Sequence, residues 1–436
     1  MAWRGARIAF AQARPAGLLL IVCLALACEG AAAAELARGG PFGETFEPIG
    51  FDGPDVIVRQ GDRVLAFGPA GRRVVAGEKG LEEAVAGSAT LALVRRRSDR
   101  DELLAGPTGG PRPVVLSCPA GPRRPPPVLA GAVVLWPRCD GLGLIAFTAA
   151  GQVVYDAGGR VMALAADGDR VAWAAEGADG RLRVFARSLT APVTLAGDLG
   201  DGAEGAQVSV AVAQDGRVRA WRQDPDDTLT CTTLGDGAAA QPRKRDGACP
   251  RRVTFTPEGS VESTIGNGVR TPGAIVRRSR SGTVISTIAA YANRSLARPF
   301  ATDGIRIATS LLLCRGSRLV SGELATARFA KVSCPIRPTA PAVTATRSGL
   351  VRIRVRCARG CLGVGGGMDM RLGSLGMVYT GETLLDLTAG RSGHIAFKLT
   401  RGQLRGLRRR GAITARVSII GYSDRAGFSV RLRAPR

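Results

Sequence analysis

A turn followed by a short strand returns at near-regular intervals between residues 51 and 335, and this repetition constrains the fold more than any other feature of the sequence. In each copy a glycine precedes a run in which apolar residues alternate with small or polar ones, as a half-buried strand requires. The copies are GDRVLAF from Gly61, GSATLALV from Gly87, GAVVLW from Gly131, GDRVAW from Gly168, GRVRAW from Gly216, GSVEST from Gly259 and GIRIAT from Gly304. Successive glycines are separated by 26, 44, 37, 48, 43 and 45 residues.

The copy at residues 164–189 shows why the repeats depend on one another. It predicts two short strands, Val171–Ala175 and Leu182–Arg187, joined by a glycine-containing turn. One hairpin cannot bury its apolar face alone, so it needs neighbours of its own kind. After the short first interval, the spacing is close to the repeat of about 40–45 residues that forms one four-stranded propeller blade. We therefore predict an all-β fold with a six- or seven-bladed β-propeller over residues 51–335.

Three of the copies carry a tryptophan five residues after the glycine: Trp136, Trp173 and Trp221. One interpretation is an aromatic surface that binds a ligand. A repeated position is, however, what packing between neighbouring blades predicts, and we favour packing. The third copy differs because Arg219 stands where the other two have Val134 and Val171, which predicts a bulge or a register shift.

Several of these segments resemble known propeller blades. The segments ALAADGDRVAW, AQDGRVRAW and ATDGIRIATSLLLCRGSRLVSGELA are similar to blades of the secreted WD40-like or YVTN-like β-propellers of actinobacteria. The Gly-His and Trp-Asp dipeptides of true WD40 repeats are absent, so the resemblance implies an architecture and no particular function. Propellers of this kind are often closed by pairing of the first strand with the last blade.

The sequence changes character after the propeller. Residues 336–341 follow Pro335 as a stiff, proline-containing linker, and residues 342–436 contain strands that alternate as in a small β-sandwich. The segment TRGQLRGLRRRGAITARVSI resembles the closing part of the Ig-like modules appended to exported actinobacterial proteins. The spacing of Leu404 and Leu407 predicts a helical turn. It places four arginines outward: Arg405, Arg408, Arg409 and Arg410.

Residues 1–34 have the pattern of a secretory signal peptide. Arginines precede the apolar run AGLLLIVCLALA, and the alanines before Glu35 offer a cleavage site. No later stretch is long and apolar enough for a spanning helix, so we expect a secreted or cell-surface protein whose mature chain has no transmembrane segment. The alternative is a lipoprotein attached through Cys28, but the residues before Cys28 match a lipobox only loosely.

Eight cysteines follow the predicted signal peptide: Cys118, Cys139, Cys231, Cys249, Cys314, Cys334, Cys357 and Cys361. An even number in an exported chain indicates disulfide bonds, although the sequence alone does not fix how they pair. Taken as four successive pairs, the two cysteines of each pair are separated by 21, 18, 20 and 4 residues. Such short loops favour one cross-link per strand pair.

The formal net charge of +24 is carried by arginine, since the chain has only four lysines. Because arginine occurs throughout the chain, we favour a solvated surface over a dedicated polyanion site, and we expect no nucleic-acid partner. Weak attraction to acidic cell-surface polymers stays open.

The composition excludes several kinds of catalytic site. His394 is the only histidine and lies outside the predicted propeller, which excludes a histidine-dependent nucleophile there and argues against histidine-rich metal sites. No dinucleotide or phosphate-loop motif is present, so we predict no cofactor and no metal. Carboxylates occur in two turn-like clusters: Asp198, Asp201 and Glu204, and Asp224, Asp226 and Asp227. We read both as turn residues, although either cluster could bind calcium or act as an acid and base pair.

Residues 235–251 predict a surface loop between Cys231 and Cys249. Its basic residues Arg243, Lys244 and Arg245 are the first candidates for ligand contact. We accordingly predict an exported, non-enzymatic binding or scaffold protein whose ligand contacts the propeller loops or channel, its partner being a cell-surface or other extracellular polymer or protein. The alternative is a carboxylate-based hydrolase or lyase that acts on carbohydrate or cell-wall material.

Overall fold

The protein was analysed as a computed structural model, which describes the following residues: 34–39, 45–121, 124–202, 204–225, 230–234, 243–246, 249–264, 273–291, 300–312, 316–329, 336–358, 361–363, 367–382, 385–387, 389–420 and 425–435. The described residues form 38 β-strands and one α-helix. The predicted all-β class is confirmed. No helix among these residues has the length and apolar character needed to cross a membrane.

The first 323 residues contribute seven four-stranded antiparallel sheets to the described part of the chain. Sheet 1 is β2 (Glu47–Asp52), β3 (Asp55–Gln60), β4 (Arg63–Gly68) and β5 (Gly71–Gly77); sheet 2 is β6 (Leu81–Gly87), β7 (Thr90–Arg96), β8 (Arg100–Pro107) and β9 (Val114–Pro119); sheet 3 is β10 (Val128–Ala130), β11 (Val133–Pro137), β12 (Gly143–Thr148) and β13 (Gly151–Asp156). Sheet 4 is β14 (Arg160–Asp167), β15 (Arg170–Glu176), β16 (Arg181–Ser188) and β17 (Thr194–Asp201); sheet 5 is β18 (Gln207–Val212), β19 (Val218–Gln223), β20 (Thr230–Leu234) and β21 (Arg243–Asp246); sheet 6 is β22 (Pro250–Thr256), β23 (Gly259–Thr264), β24 (Gly273–Ser279) and β25 (Val284–Tyr291).

Sheet 7 joins the two ends of this region. Three of its strands are β26 (Phe300–Thr302), β27 (Arg306–Leu312) and β28 (Ser317–Glu323), and the fourth is β1 (Ala34–Gly39), which pairs antiparallel with β28. The expectation that the first strand completes the last sheet is therefore confirmed. The boundary predicted at residue 51 is too late, because β1 and most of β2 precede it.

Apolar residues fill every seam between neighbouring sheets. The seam between sheets 1 and 2, for example, contains Ile57 and Val64 from one sheet and Leu91 and Leu93 from the other, all with no solvent exposure. Equivalent clusters occupy the other six seams, including the one that closes sheet 7 against sheet 1. The first strands of the sheets contact one another around the centre of the ring. These contacts make the assembly a β-propeller with a central channel lined by first strands.

The short first interval in the sequence has a structural cause. Gly61 lies in the turn between β3 and β4, whereas the other six repeat glycines lie at or next to the turn between the first and second strands of their sheets. The equivalent turn of sheet 1 contains Gly53, which has a positive φ of 54°. The first interval is thus short because Gly61 belongs to a different turn of its sheet, and no strand of sheet 1 is missing.

The three repeat tryptophans are packing residues, as predicted. Trp136, Trp173 and Trp221 are at most 3% exposed, on the second strands of sheets 3, 4 and 5. Trp136 and Trp173 pack toward the preceding sheet, but Trp221 packs toward sheet 6. β18 and β19 pair without a bulge. The alternative prediction, a register shift, describes this copy: Val218 and Ala220 occupy the seam toward the preceding sheet, and the connection between β18 and β19 has five residues in place of two.

Residues 336–435 form two further sheets around one core. The three-stranded sheet has the order β29 (Ile336–Pro338), β31 (Leu350–Cys357) and β36 (Ser392–Lys398); the five-stranded sheet has the order β30 (Ala342–Thr344), β38 (Arg425–Arg433), β37 (Ala412–Ile420), β33 (Gly367–Arg371) and β34 (Met377–Glu382). A short pair, β32 (Cys361–Gly363) and β35 (Leu385–Leu387), completes this region. The predicted linker is wrong for residues 336–338, which pair with β31 and so begin the sandwich.

The predicted helical turn is a ten-residue helix, α1 (Arg401–Arg410). Thr400 caps its first turn, accepting a hydrogen bond from the backbone N–H of Gln403, while the Gln403 side chain accepts one from the N–H of Thr400. Leu407 is buried in the sandwich core and Leu404 packs against that core. The arginines of the last turn are exposed, as predicted.

Two disulfides join Cys118 to Cys139 and Cys231 to Cys249, which are the first two pairs that the spacing favours. Both link outer parts of sheets to neighbouring connections. Cys357 is also disulfide-bonded. Cys314, Cys334 and the side chain of Cys361 lie outside the described residues.

The close approach of first strands gives a test of the ring. A Cβ added at Gly50 in β2 would overlap the backbone carbonyl of Ala86 in β6, whereas one added at Gly77 meets nothing within 4 Å. We expect Gly50→Ala to destabilise the protein by about 2–3 kcal/mol through overpacking, and Gly77→Ala to change stability by less than about 0.5 kcal/mol. Urea denaturation of both variants measures this difference, and equal stabilities would contradict the seam between sheets 1 and 2.

Candidate functional site

The first strands of the sheets run in the same direction around the channel, so their starting residues meet at one mouth. Arg59 demonstrates this, because it lies opposite Glu47 in sheet 1 and hydrogen-bonds to the backbone carbonyls of Leu81 and Glu82 at the start of β6. At the far end of the channel, Asp167 of β14 accepts a hydrogen bond from Gln214, which follows β18. We call the end where the first strands begin the upper mouth.

Glu47 is held at the upper mouth by a charged hydrogen bond. The Arg59 Nε donates to Glu47 Oε2 at 2.7 Å, and a second nitrogen of the same guanidinium donates to the same oxygen. Both side chains are about one-quarter exposed. Because Arg59 also bonds to β6, this ion pair connects sheets 1 and 2 where they line the channel.

Arg252 of β22 is the cation that faces the channel from the other side. Its guanidinium carbon lies 5.7 Å from the centre of the Phe300 ring of β26, and the residue is partly exposed. Burial lowers the pKa of Arg252, while the charges of Glu47 and Glu83 act to raise it. An arginine stays protonated under such conditions. Glu47 of sheet 1 and Glu83 of sheet 2 therefore interact electrostatically with Arg252 of sheet 6.

Arg252 differs from most propeller arginines in its lack of an ion-pair partner. Within the part of the chain that the structure describes, its guanidinium has no carboxylate oxygen within 4 Å. It is attracted to Glu47 and Glu83 over a longer distance. A guanidinium without a carboxylate partner among the described residues can bind a carboxylate or another planar anion in a bidentate manner.

A network of charged residues next to the mouth is fully compensated. Asp101 and Glu102 of β8 are buried, and Arg96 and Arg124 both donate to Asp101 at 2.9 and 2.8 Å. Arg124 also lies over the Trp136 ring, which attaches the irregular segment after β9 to sheet 3. The network stabilises sheet 2 and leaves no open donor comparable to that of Arg252.

The sequence-predicted candidates lie elsewhere. Arg243, Lys244 and Arg245 form the outer strand β21 of sheet 5, paired with β20. The loop predicted there is wrong for these residues, because β20 pairs with them to complete a four-stranded sheet. Their side chains are outside the described residues, and the structure does not bring them to the upper mouth.

The acidic clusters are engaged in ordinary contacts where they are described. Asp198 pairs with Arg181 at 2.9 Å and Asp224 with Arg222 at 3.1 Å, while Glu204 is exposed in a turn. Asp226 and Asp227 lie outside the described residues. His394 is exposed on β36, opposite Arg354. None of these described residues faces a second carboxylate at the channel mouth.

Sequence reasoning missed Glu47, Glu83 and Arg252 because they are far apart along the chain. Each stands near the start of a first strand, which is the least distinctive part of the repeat. The alternating signs in RRRSDRDE, which spans Arg95–Glu102, could have indicated the compensated network.

The similarity of this chain to known proteins is distant. No protein-family model and no curated protein matches the chain. Among solved structures, the N-terminal domain of Nup159 is 10% identical with a TM-score of 0.42, covering 67% of this chain and 94% of that one. Hsv2 of Kluyveromyces lactis is 10% identical with a TM-score of 0.37, covering 59% of this chain and 86% of that one. At these scores neither likeness carries an argument about the fold or the function of this chain.

The compensated network gives a pH-dependent prediction. Hydrogen bonds from Arg95 and Arg97 lower the pKa of Glu102 below its ordinary value. A carboxylate with a lowered pKa stabilises the fold above its unfolded pKa, and this contribution is lost as the pH falls through the folded pKa. We expect Glu102→Gln to cost about 1–2 kcal/mol near neutral pH, with the difference from the wild type shrinking in acid.

Urea denaturation of the wild type and Glu102→Gln over a series of pH values measures this effect. Asp99→Asn, at an exposed neighbour that pairs with Arg100, is the matched control and should change stability little. A Glu102→Gln effect independent of pH would contradict the ionic origin of the contribution.

Proposed function

We propose that this protein is an exported, non-enzymatic binding or scaffold protein, in which a seven-bladed WD40-like propeller carries an Ig-like sandwich and binds its ligand at the upper mouth of the channel. The observation that supports this most is Arg252, a partly exposed guanidinium without an ion-pair partner among the described residues, facing carboxylates from two other sheets. The sequence pattern of residues 1–34 and the two disulfides support export.

The charges at the mouth restrict the ligand. Arg252 attracts an anionic group, but Glu47 and Glu83 repel a ligand that carries only negative charge. A ligand with a carboxylate and an ammonium group in one molecule suits both signs, because its ammonium can approach the glutamates while its carboxylate meets Arg252. We therefore propose a zwitterionic ligand, such as an amino acid or a short peptide.

Thermal unfolding with a panel of free amino acids, dipeptides and simple carboxylates tests this proposal, since a ligand that binds the folded state raises the melting temperature. We expect zwitterions to stabilise the wild type and Arg252→Gln to weaken their binding by about tenfold or more. Arg187→Gln is the matched control, because Arg187 also lies over an aromatic ring, that of Tyr155, but on the third strand of sheet 4. Equal losses in both variants, or no stabilising zwitterion, would contradict the channel-mouth site.

A carboxylate-based hydrolase is the second candidate, and Asp167 is the observation that favours it. Burial raises the pKa of Asp167, whereas hydrogen bonds from Arg217 lower the pKa of the nearby Asp215. Two carboxyl groups whose pKa values are shifted in opposite directions are typical of a general acid and general base pair. Wild-type release of reducing sugar from cell-wall polysaccharide, abolished in Asp167→Asn, would favour this candidate over the binding role.

Export gives a separate prediction. If the chain is cleaved before Glu35, the secreted protein keeps five of the six residues of β1 and can still close sheet 7. Mass spectrometry of the secreted protein should find Glu35 at the amino terminus. A membrane-bound form with a lipid-modified Cys28 at its amino terminus would instead identify a lipoprotein.

A further inference from the structure

The positive charge of the chain is concentrated in the sandwich. Residues 336–436 contain 19 lysines and arginines and 4 aspartates and glutamates, so they carry +15 of the formal net charge of +24 in less than a quarter of the chain. The expectation that arginine is spread without a preferred segment is therefore wrong.

Five of these cations lie together on the outer face of the three-stranded sheet. Arg352, Arg354 and Arg356 alternate along β31 with core residues and are all exposed. The register adds Arg337 of β29 directly opposite Arg356, and Lys398 at the other end of the face, opposite Leu350. We call these five side chains the cationic face. No aspartate or glutamate occurs on β29, β31 or β36.

The cationic face lacks the compensation that the propeller provides. In the propeller, arginines such as Arg95, Arg96 and Arg124 each pair with a carboxylate. None of the five side chains of the cationic face pairs with a described carboxylate; among the described residues, the Arg354 side chain donates a hydrogen bond to Ser392 at 2.7 Å. Like charges directly opposite each other on neighbouring strands destabilise a sheet. The pairing of Arg337 with Arg356 is thus a cost to the fold that an anionic ligand would remove.

The spacing of the face suits a linear polymer. Outward residues on one strand are separated by about 6.6 Å and neighbouring strands by about 4.8 Å, so the three arginines of β31 follow one line along the strand. Arginine recognises carboxylate, sulfate and phosphate groups through paired hydrogen bonds.

We propose that the cationic face of the sandwich binds a linear acidic polysaccharide and so attaches the protein to an anionic polymer. An acidic polysaccharide fits better than a single-stranded nucleic acid, because the described side chains of the face include no Trp, Tyr or Phe on which bases could stack, and their one ring is the imidazole of His394, opposite Arg354. This inference does not depend on a ligand at the channel mouth.

The test measures binding of the full chain to immobilised heparin, a sulfated polysaccharide, and to polygalacturonate, which carries carboxylates, with an oligo-dT strand as competitor. We expect the chain to bind at least one of the polysaccharides. The logarithm of the binding constant should fall linearly with the logarithm of the salt concentration between about 50 and 200 mM. The triple variant Arg352→Gln, Arg354→Gln, Arg356→Gln should weaken binding by about tenfold or more and lower the salt slope by about two to three.

The opposite sheet supplies a matched control. Arg416, Arg431 and Arg433 are also exposed on strands, so changing all three to Gln removes the same charge from the same kind of surface. This control triple and Arg252→Gln should each change binding by less than about threefold. Equal losses in the two triples would show that net charge alone binds the polymer, and preferred binding of oligo-dT would show a nucleic-acid surface; either result overturns the proposal, as does the absence of polysaccharide binding.

Folding is checked independently. Removing the three arginines of β31 relieves repulsion, so this triple variant should be at least as stable to urea as the wild type at low salt, and less stabilised by added salt. A variant that loses both binding and stability would indicate that the arginines hold the sheet together, which contradicts a ligand-binding role.

Discussion

The apolar seams between neighbouring four-stranded sheets hold this protein together. Each sheet has two apolar faces, and a face left uncovered would expose residues such as Ile57 or Trp173, so the sheets must continue around a ring until the last one meets the first. The seam between sheets 7 and 1 depends on β1, whose Leu36 and Ala37 pack against the core of that seam. Closure therefore links the amino-terminal strand to the formation of the channel itself.

Charge is arranged differently in the two parts of the chain. In the propeller, buried or partly buried carboxylates are matched by arginines, and the ion pairs bridge strands or sheets as Arg59 does between sheets 1 and 2. The mouth departs from this arrangement at Arg252, and the sandwich departs from it over a whole sheet face.

The repeat could be found from sequence because it is a local pattern. A glycine turn and an alternating strand lie within a few residues of one another, and the tryptophans at 136 and 173 mark the same seam position. The orientation of Trp221 could not be predicted, since it depends on the length of the connection between β18 and β19. Strand β21 also could not be predicted and stands where a loop was expected. It is a strand because it pairs with β20 to complete the sheet.

The candidate site was beyond sequence reasoning for a different reason. Glu47, Glu83 and Arg252 come from three sheets, and only ring closure brings their charges together. The cationic face, by contrast, is visible in the alternation VRIRVRC once the strand is known to be half-buried. The concentration of arginine after residue 336 does not show when arginines are considered over the whole chain.

Amide hydrogen exchange of β1 tests ring closure most directly. If Ala34–Gly39 completes sheet 7, its paired amides should exchange as slowly as those of β27 and β28. Their protection from exchange should be lost together with that of β27 and β28 on unfolding. Exchange of the β1 amides at the rate of an unstructured chain, while β27 and β28 stay protected, would contradict the closed ring and with it the channel mouth.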